Sequence, residues 1–333
     1  MDCPLGVSMI EIVLCTDDNY VMPTSVLMNS IGITNPDVEI HYYIITAGLS
    51  DSAKKALSRN PFGKKAGIDF YTVDREILKG CPVRPGEHIS IAAYFRFLLP
   101  TILPQNIDKV LYLDGDIVCV GDIAPLWETS LEGFAAAAVP DMRCDDIRIS
   151  NRLSLTESSA YYNSGVMLIN LDWWRKNDVQ NKSIFFATHN KDICTYHDQD
   201  VLNVVLQGAI KTLSIRYNLQ EHFLERRENL FIDKKYFDDL DFSMRNPVML
   251  HYTGQKKPWH NECFNPLKDV WRFFFHMSEW KSQKFTNKLP IKNHILYLIR
   301  EFLSRWNIMK SANPYKGLDY SDLLSEILHK IHN

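Results

Sequence analysis

Two short stretches of this 333-residue chain carry side chains whose types and spacing could hold a cation against a phosphate. The first is Leu111-Tyr-Leu-Asp-Gly-Asp-Ile117, an apolar run closed by two aspartates one residue apart. In extended chain, residues i and i+2 point to the same side, so Asp114 and Asp116 can reach one ion. Hard carboxylate oxygens suit Mn2+ or Mg2+, and such an ion would bridge the oxygens of a diphosphate. Gly115 between them lets the backbone come close to a ligand. The second stretch is His251-Tyr-Thr-Gly-Gln-Lys-Lys-Pro-Trp-His260. His251 closes the apolar run PVMLH, Gly254 allows a tight turn, and Lys256 and Lys257 follow within reach of a phosphate. A neutral imidazole is a softer ligand and tilts the preference from Mg2+ toward Mn2+. Each stretch alone has a plainer reading, as solvated turn aspartates or a hydrogen-bonded strand-end histidine. Only the two together make a pyrophosphate cradle.

The surrounding pattern predicts elements that could position them. Short β-rich runs at Ile10–Thr16, Glu39–Thr46, Ile68–Val73, Lys109–Asp114 and Phe134–Val139 read as strands. Helical stretches lie between them: from Pro23 to a stop at Asn35-Pro36, from the N-cap Ser50 to Asn60, and from Ile91 to Leu99, ending at Pro100. Alternating strands and helices imply an α/β fold with a mostly parallel sheet covered on both faces. Right-handed crossovers then place ligands at the carboxyl ends of the strands, where Asp17-Asp-Asn-Tyr20 and Asp114-Gly-Asp116 stand. The second half is less regular. Val166–Asn170 and Val248–Tyr252 read as strands, and Asp198–Leu206 and Pro266–Met277 as helices.

Bulk composition narrows the class. With 46% hydrophobic and 12% aromatic residues, the chain has ample material for a core. A net charge of −3 gives no mark of a nucleic-acid binder. Seven scattered cysteines without a CxxC pair argue against a disulfide framework or zinc site and for a reducing compartment. The start lacks a basic, apolar leader, and no stretch is apolar enough to span a bilayer, so the expectation is a soluble, cytoplasmic protein.

Several further segments complete a familiar order: Thr16-Asp-Asp-Asn-Tyr20, His88-Ile-Ser-Ile91, Tyr94-Phe-Arg96, Lys109 to Asp116, Pro125-Leu-Trp127, Tyr162 to Leu171, Asp198-Gln-Asp-Val-Leu-Asn203, Arg216-Tyr-Asn218 and His251 to His260. With these, spread over about residues 10 to 262, the chain resembles bacterial family-eight glycosyltransferases, the group of lipopolysaccharide galactosyl- and glucosyltransferases distantly related to glycogenin. The resemblance implies a GT-A fold, a Rossmann-like mixed sheet flanked by helices, and metal-dependent transfer of a hexose from a UDP-sugar with retention of configuration. It implies that Cys15, Thr16, Asp17, Asn19 and Tyr20, with Gly115, Gly254 and Lys257, bind the nucleotide. It gives Arg96, Asp141, Asn163, Asp198 and Gln199 to the sugar, Asp114, Asp116 and His251 to the metal, and a place near the acceptor to His88. Most of these have bland alternatives. Asp17 and Asn19 are good turn residues, Tyr20 could be core, and Asp141, Asn163 and Asp198 could be caps.

Gln199, Asp198 and Lys257 are the expected catalytic group. Gln199 matches the position on the sugar face where retaining hydrolases place a carboxylate nucleophile. A carboxamide carries no charge and nucleophiles poorly, so front-face attack is favoured, with the leaving phosphate taking the acceptor's proton. Lys257 and the metal would neutralise charge growing on the diphosphate.

Composition changes near residue 280, which suggests a catalytic domain over 1–275 and a mainly helical tail over 276–333. Between Lys281 and Lys316 there are eight Lys or Arg residues and only one acid, Glu301. Ile291, Ile295, Leu298, Ile299, Phe302 and Trp306 recur at helical spacing beside Lys292, Arg300, Arg305 and Lys310. Such a face could lie on an anionic membrane, for instance beside a lipid-linked oligosaccharide acceptor, or pack on the catalytic domain. Competing functions are a sugar-phosphate nucleotidyltransferase, which would normally carry a glycine-rich basic loop after the first strand, a non-catalytic nucleotide-sugar binder, and self-glucosylation on one of the tyrosines.

Overall fold

A computed structural model of the chain describes residues 9–59, 66–83, 91–156, 159–286, 299–300, 302–303 and 313–332. His88 and most of the expected amphipathic helix, from Ile291 to Leu298 and from Arg305 to Lys310, lie outside the described residues.

Strands β1 (Ile10–Cys15), β2 (Ile40–Thr46), β3 (Ala66–Thr72) and β4 (Lys109–Leu113) form one half of a seven-stranded sheet. Strands β6 (Ala136–Pro140), β7 (Tyr162–Asn170) and β8 (Ile210–Thr212) extend it, in the order β3-β2-β1-β4-β7-β6-β8. All neighbours are parallel except around β7, which runs antiparallel to both β4 and β6. The sheet is therefore mixed and mostly parallel, with β7 alone reversed. A small second sheet joins β5 (Ile117–Cys119), β10 (Met249–His251) and β9 (Leu219–Gln220).

Alternation along the strands feeds two cores. In β4, Leu111 and Leu113 face one side with Leu14 and Leu168, while Val110 and Tyr112 face the other with Val13 and Met167. Both faces are buried, which explains why these strands read as near-continuous apolar runs. Helix α1 (Val21–Thr34) is buried over most of its surface because it packs on β5, on α2 (Asp51–Ser58) and on α10 (Lys268–His276). Its end is sealed by Asn35, whose backbone N–H returns to the Ile31 carbonyl. The Ser50 hydroxyl caps α2 by accepting from the Ala53 N–H at 3.2 Å.

Two local expectations change. The stretch after residue 90 is a 3-10 helix over Ile91–Leu98 that runs straight into α3 (Leu99–Ile102). Pro100 sits in the first turn of α3, where a missing N–H breaks no helical bond, so it does not stop the chain's helical course. In the second sheet β10 falls within the expected strand Val248–Tyr252, while β5 and β9 had no counterpart in the pattern; they have only three and two residues.

The last described segment folds back. Tyr315 is buried with its hydroxyl 3.3 Å from the Glu221 carbonyl, and Tyr320 bonds the Leu224 carbonyl. The helix Ser321–His332 packs on α10 and buries Ile327. Ile299 and Phe302 are exposed. Among the described residues no helix is long and apolar enough to cross a membrane.

Candidate active site

A cavity of about 660 Å³ opens where β1, β4, β6 and β10 end. The reversed β7 begins there, so Asn163 and Ser164 enter the same cavity from the opposite chain direction. All the residues expected to bind nucleotide, sugar or metal line this space, from Cys15 to Lys257.

The metal-type cluster lies at its floor. One ligand atom each from Asp114, Asp116 and His251 fall within 4.8 Å of one another, although 137 positions separate Asp114 from His251 (251 − 114). His251 Nε2 is 3.2 Å from Asp116 Oδ1 and 3.9 Å from Asp114 Oδ2. The convergence depends on β10 pairing with β5, which sets His251 opposite Ile117, next to Asp116. It depends also on Gly165 of β7: a Cβ there would overlap the His251 ring and come 2.8 Å from Asp114 Oδ2.

Two cations neutralise the acids. Arg96 is only 3% exposed, and it donates from Nη2 to Asp114 Oδ1 at 2.8 Å and from Nη1 to the Ser164 carbonyl at 2.7 Å. Its Nε stands 3.2 Å from Asp198 Oδ2, and its guanidinium lies 3.9 Å over the Tyr112 ring. Lys257 Nζ meets Asp116 Oδ2 at 2.6 Å and donates to the Tyr252 carbonyl at 2.7 Å. Burial alone would raise the Asp116 carboxyl, but Lys257 and His251 outweigh it and hold it well below the usual carboxylate range. Asp198 goes the other way. Burial, only partly offset by Arg96, pushes it up to about 6. Lys256 does not join this group; its ammonium lies 4.6 Å over the Phe264 ring.

At the end expected to hold the nucleotide, Asp17 both lines the cavity and accepts from the Asn19 N–H at 3.0 Å, so its turn role and its place in the cavity wall coexist. Asp18 turns away and caps Ser50. Tyr20 meets Trp259 edge-on at 5.7 Å. Gly115 and Gly254 are both outside the left-handed region, so their requirement is space. A Cβ on Gly115 would sit 3.0 Å from the Tyr20 ring and from Thr24 Oγ1, and one on Gly254 would run into the Glu221 carboxylate. The Cys15 thiol is pushed up to about 12 by burial, which keeps it a neutral thiol. Thr253 Oγ1 is buried beside Gly254 with no hydrogen-bond partner among the described residues, a donor in place for a ligand oxygen.

The end of the cavity expected to hold the sugar is built largely from amides. Gln199 Oε1 accepts from Asn163 Nδ2 at 3.1 Å and from the Ser164 N–H at 3.2 Å, while its Nε2 donates to Asp141 Oδ2 at 3.2 Å. Ser164 Oγ is 3.3 Å from Asp198 Oδ2. Helix α8 (His197–Val205) carries Asp198 and Gln199 in its first turn. His197, buried at its start, holds a left-handed φ of 51°, a strained state for a residue with a Cβ. The strain is held by its ring, whose Nδ1 is 3.2 Å from the Pro82 carbonyl, and by Asp200, which accepts the Tyr196 N–H at 2.7 Å.

Sequence reasoning gave no role to Arg143, Tyr196, Gln220, His222 or Thr253, which also line the cavity. Tyr196 precedes the quoted Asp198-Gln-Asp motif and Thr253 lies inside the His251–His260 motif, so a signal existed for both. His222 had none; it is held by Glu225 at 2.7 Å, which with Glu221 keeps its imidazole above its ordinary value against the pull of burial.

The family model "Glycosyl transferase family 8" matches residues 11–263. The chain is 28% identical to General stress protein A of Bacillus subtilis over 82% of this chain and 95% of that protein. It is 29% identical to a lipopolysaccharide 1,2-glucosyltransferase of Escherichia coli, over 80% of this chain and 77% of that one. Among solved structures, the galactosyltransferase LgtC in complex with donor and acceptor sugar analogs superposes with a TM-score of 0.72 at 29% identity, covering 86% of this chain and 99% of LgtC. That likeness makes the mixed sheet a GT-A fold. With the family's model matched over most of its length, this chain belongs to glycosyl transferase family 8.

Proposed function

We propose that the chain moves glucose or galactose from a UDP-sugar to a saccharide acceptor with retention of configuration, in lipopolysaccharide or other cell-surface glycan synthesis. The observation that carries this reading is the Asp114–Asp116–His251 cluster set against Lys257 at the floor of one large cavity. Two carboxylates and an imidazole fit a borderline ion such as Mn2+ better than Mg2+. The close approach of His251 and Asp114 that Gly165 allows suits an ion, and the Thr253 hydroxyl, without a partner among the described residues, suits its diphosphate. When bound, the ion would supply Lewis-acid neutralisation of the leaving diphosphate.

The chain's own residues would do the rest. Lys257 sits beside Asp116 and can take up charge on a departing phosphate. Asp198 and Asp141 would accept from sugar hydroxyls, and Arg96 would hold Asp114 and Asp198 in register. Gln199 faces the sugar without a charge, so we assign it electrostatic support of an oxocarbenium-like sugar and assign the acceptor's entry to the face the phosphate leaves. Both lone pairs of its carbonyl oxygen are engaged by Asn163 and Ser164, and that support requires one of these bonds to yield when donor binds. LgtC has also been solved as an active-site mutant with glutamate in place of a glutamine, in keeping with an important carboxamide in that relative.

The test is a screen of UDP-hexoses with Mn2+ present, scored by UDP release. We expect slow hydrolysis of one donor without acceptor and fast turnover with it. Release of pyrophosphate from UTP and a hexose 1-phosphate, tested alongside, would instead make the chain a nucleotidyltransferase, and binding without release a non-catalytic relative. We further place the enzyme in the cytoplasm, with the tail touching the inner face of the membrane. The exposed Ile299 and Phe302 support that placement. Equal liposome co-sedimentation by the full chain and by a Phe302→Asp, Ile299→Asp variant would remove it.

A further inference from the structure

Asn218 belongs to a motif with no assigned role, Arg216-Tyr-Asn218, and it is fully buried directly before β9. Parallel pairing of β9 with β10 sets Gln220 beside His251, so Asn218 reaches the histidine from the chain next door. Its Oδ1 lies 2.9 Å from His251 Nδ1, and its Nδ2 lies 2.8 Å from Asn163 Oδ1.

The direction of every bond in this chain follows from one backbone group. The Gly165 N–H donates to Asn163 Oδ1 at 3.0 Å, and a backbone N–H can only donate. That atom of Asn163 is therefore the oxygen, and the atom of Asn218 facing it is the nitrogen. The other end of Asn218 is then an oxygen, so His251 Nδ1 must carry the hydrogen. In the neutral ring Nε2 then carries the lone pair, directed at Asp114 and Asp116, where a metal would bind. From the other side, Asn163 Nδ2 donates to Gln199 Oε1, which the Ser164 N–H independently marks as oxygen. The sugar-facing Gln199 and the metal-facing His251 are thus the two ends of one ordered series, Gln199–Asn163–Asn218–His251.

We propose that Asn218 is a positioning residue that fixes His251 in the tautomer able to bind a metal through Nε2 and ties it to the amide network at the sugar end. This rests on the Mn2+ reading of the cluster. Partners of this kind, behind a ligating histidine, set both ring orientation and tautomer, and their loss weakens metal binding about 10- to 100-fold.

The experiment is Mn2+ titration by calorimetry on the full chain, with turnover and thermal melting measured beside it, for wild type, Asn218→Ala and Asn218→Asp. Alanine removes both bonds. We expect Mn2+ affinity to drop about 10- to 100-fold. Aspartate still accepts from His251 Nδ1 but cannot donate to Asn163. We expect it to keep Mn2+ affinity within a few-fold while kcat falls about tenfold or more, because two acceptor oxygens then face each other at Asn163, within the roughly 10- to 100-fold range that loss of such partners shows in activity. A residue that merely supports the fold would not separate the two measurements. Wild-type Mn2+ affinity in Asn218→Ala overturns the proposal, as does equal loss of affinity and kcat in Asn218→Asp. If alanine does not fold, the aspartate variant decides. No Mn2+ binding by wild type would overturn the metal reading and this proposal together, a result distinct from either of the others.

Discussion

The two ends of the cavity use opposite materials. The metal end concentrates full charges: Asp114 against Arg96, and Asp116 against Lys257, at 2.8 and 2.6 Å. The sugar end, apart from Asp141 and Asp198, is a net of neutral amides around Gln199 and Asn163. Two carboxylates this close repel, and without an ion the arginine and lysine supply the compensation. Charges buried in fixed pairs are worth much to a transition state because they need no reorganisation. Amides offer direction and shape, which suits reading hydroxyls on a neutral ring. The contrast teaches that the metal end should carry the larger share of the rate and of nucleotide binding, and the sugar end a smaller share of the rate together with selectivity.

The largest effect should come from breaking the charged end. Asp116→Asn should lower turnover on the order of 10²-fold or more, measured as UDP release at saturating donor; near-wild-type turnover would end the claim that this end carries the larger share of the rate. Next is the space that the metal end needs. Gly165→Ala pushes a Cβ into His251 and toward Asp114. It should cost about 1–3 kcal/mol of stability by overpacking, read from denaturant unfolding, and weaken Mn2+ binding in calorimetry. At the sugar end, Gln199→Ala should remove about 1.5–3 kcal/mol of transition-state support, roughly 10- to 100-fold in kcat. UDP affinity should stay unchanged, and a matching loss of UDP affinity would blur the division between the ends.

The smallest effect is on pH. Asp198 is held up to about 6, against an ordinary 3.8, chiefly by burial. In its proposed role as a hydroxyl acceptor it binds more strongly when ionised, so donor KM should rise several-fold as pH drops through that value, and Asp198→Asn should flatten the profile. The sign for stability is opposite to that of a paired carboxylate. Between 3.8 and about 6 the folded chain keeps a proton that the unfolded chain has lost, so its contribution to stability falls as pH rises through that window. Melting curves at several pH values, compared with the asparagine variant, check it.

Legibility from sequence followed chain distance. The strands β1, β2 and β4 announced themselves as apolar runs, because both their faces are buried and the pattern is local, while the half-exposed edge strand β3 was read from its β-forming residues. Ser50 as a cap was readable from its neighbours. The two- and three-residue strands β5 and β9 were not, since so short a run has no period to detect. Lys256 and Lys257 looked equivalent in sequence, yet one covers Phe264 and the other grips Asp116. The left-handed turn at His197 had no sign at all, because its cause lies in Pro82 and Asp200.

What the amino-acid order determined by itself is the set of chemical groups and their local carriers: two aspartates at a strand end, a histidine at another, a glutamine opening a helix. Those depend on backbone periodicity and apolar runs, which act over a few residues. Which groups meet was decided only in three dimensions. The reversal of β7 turned Asn163 toward the same mouth as Asp114, and the β5–β10 pairing brought His251 to Asp116. The proton on His251 was settled by a backbone amide in a third strand. Such outcomes rest on contacts between residues far apart in the chain, and no short-range pattern encodes them.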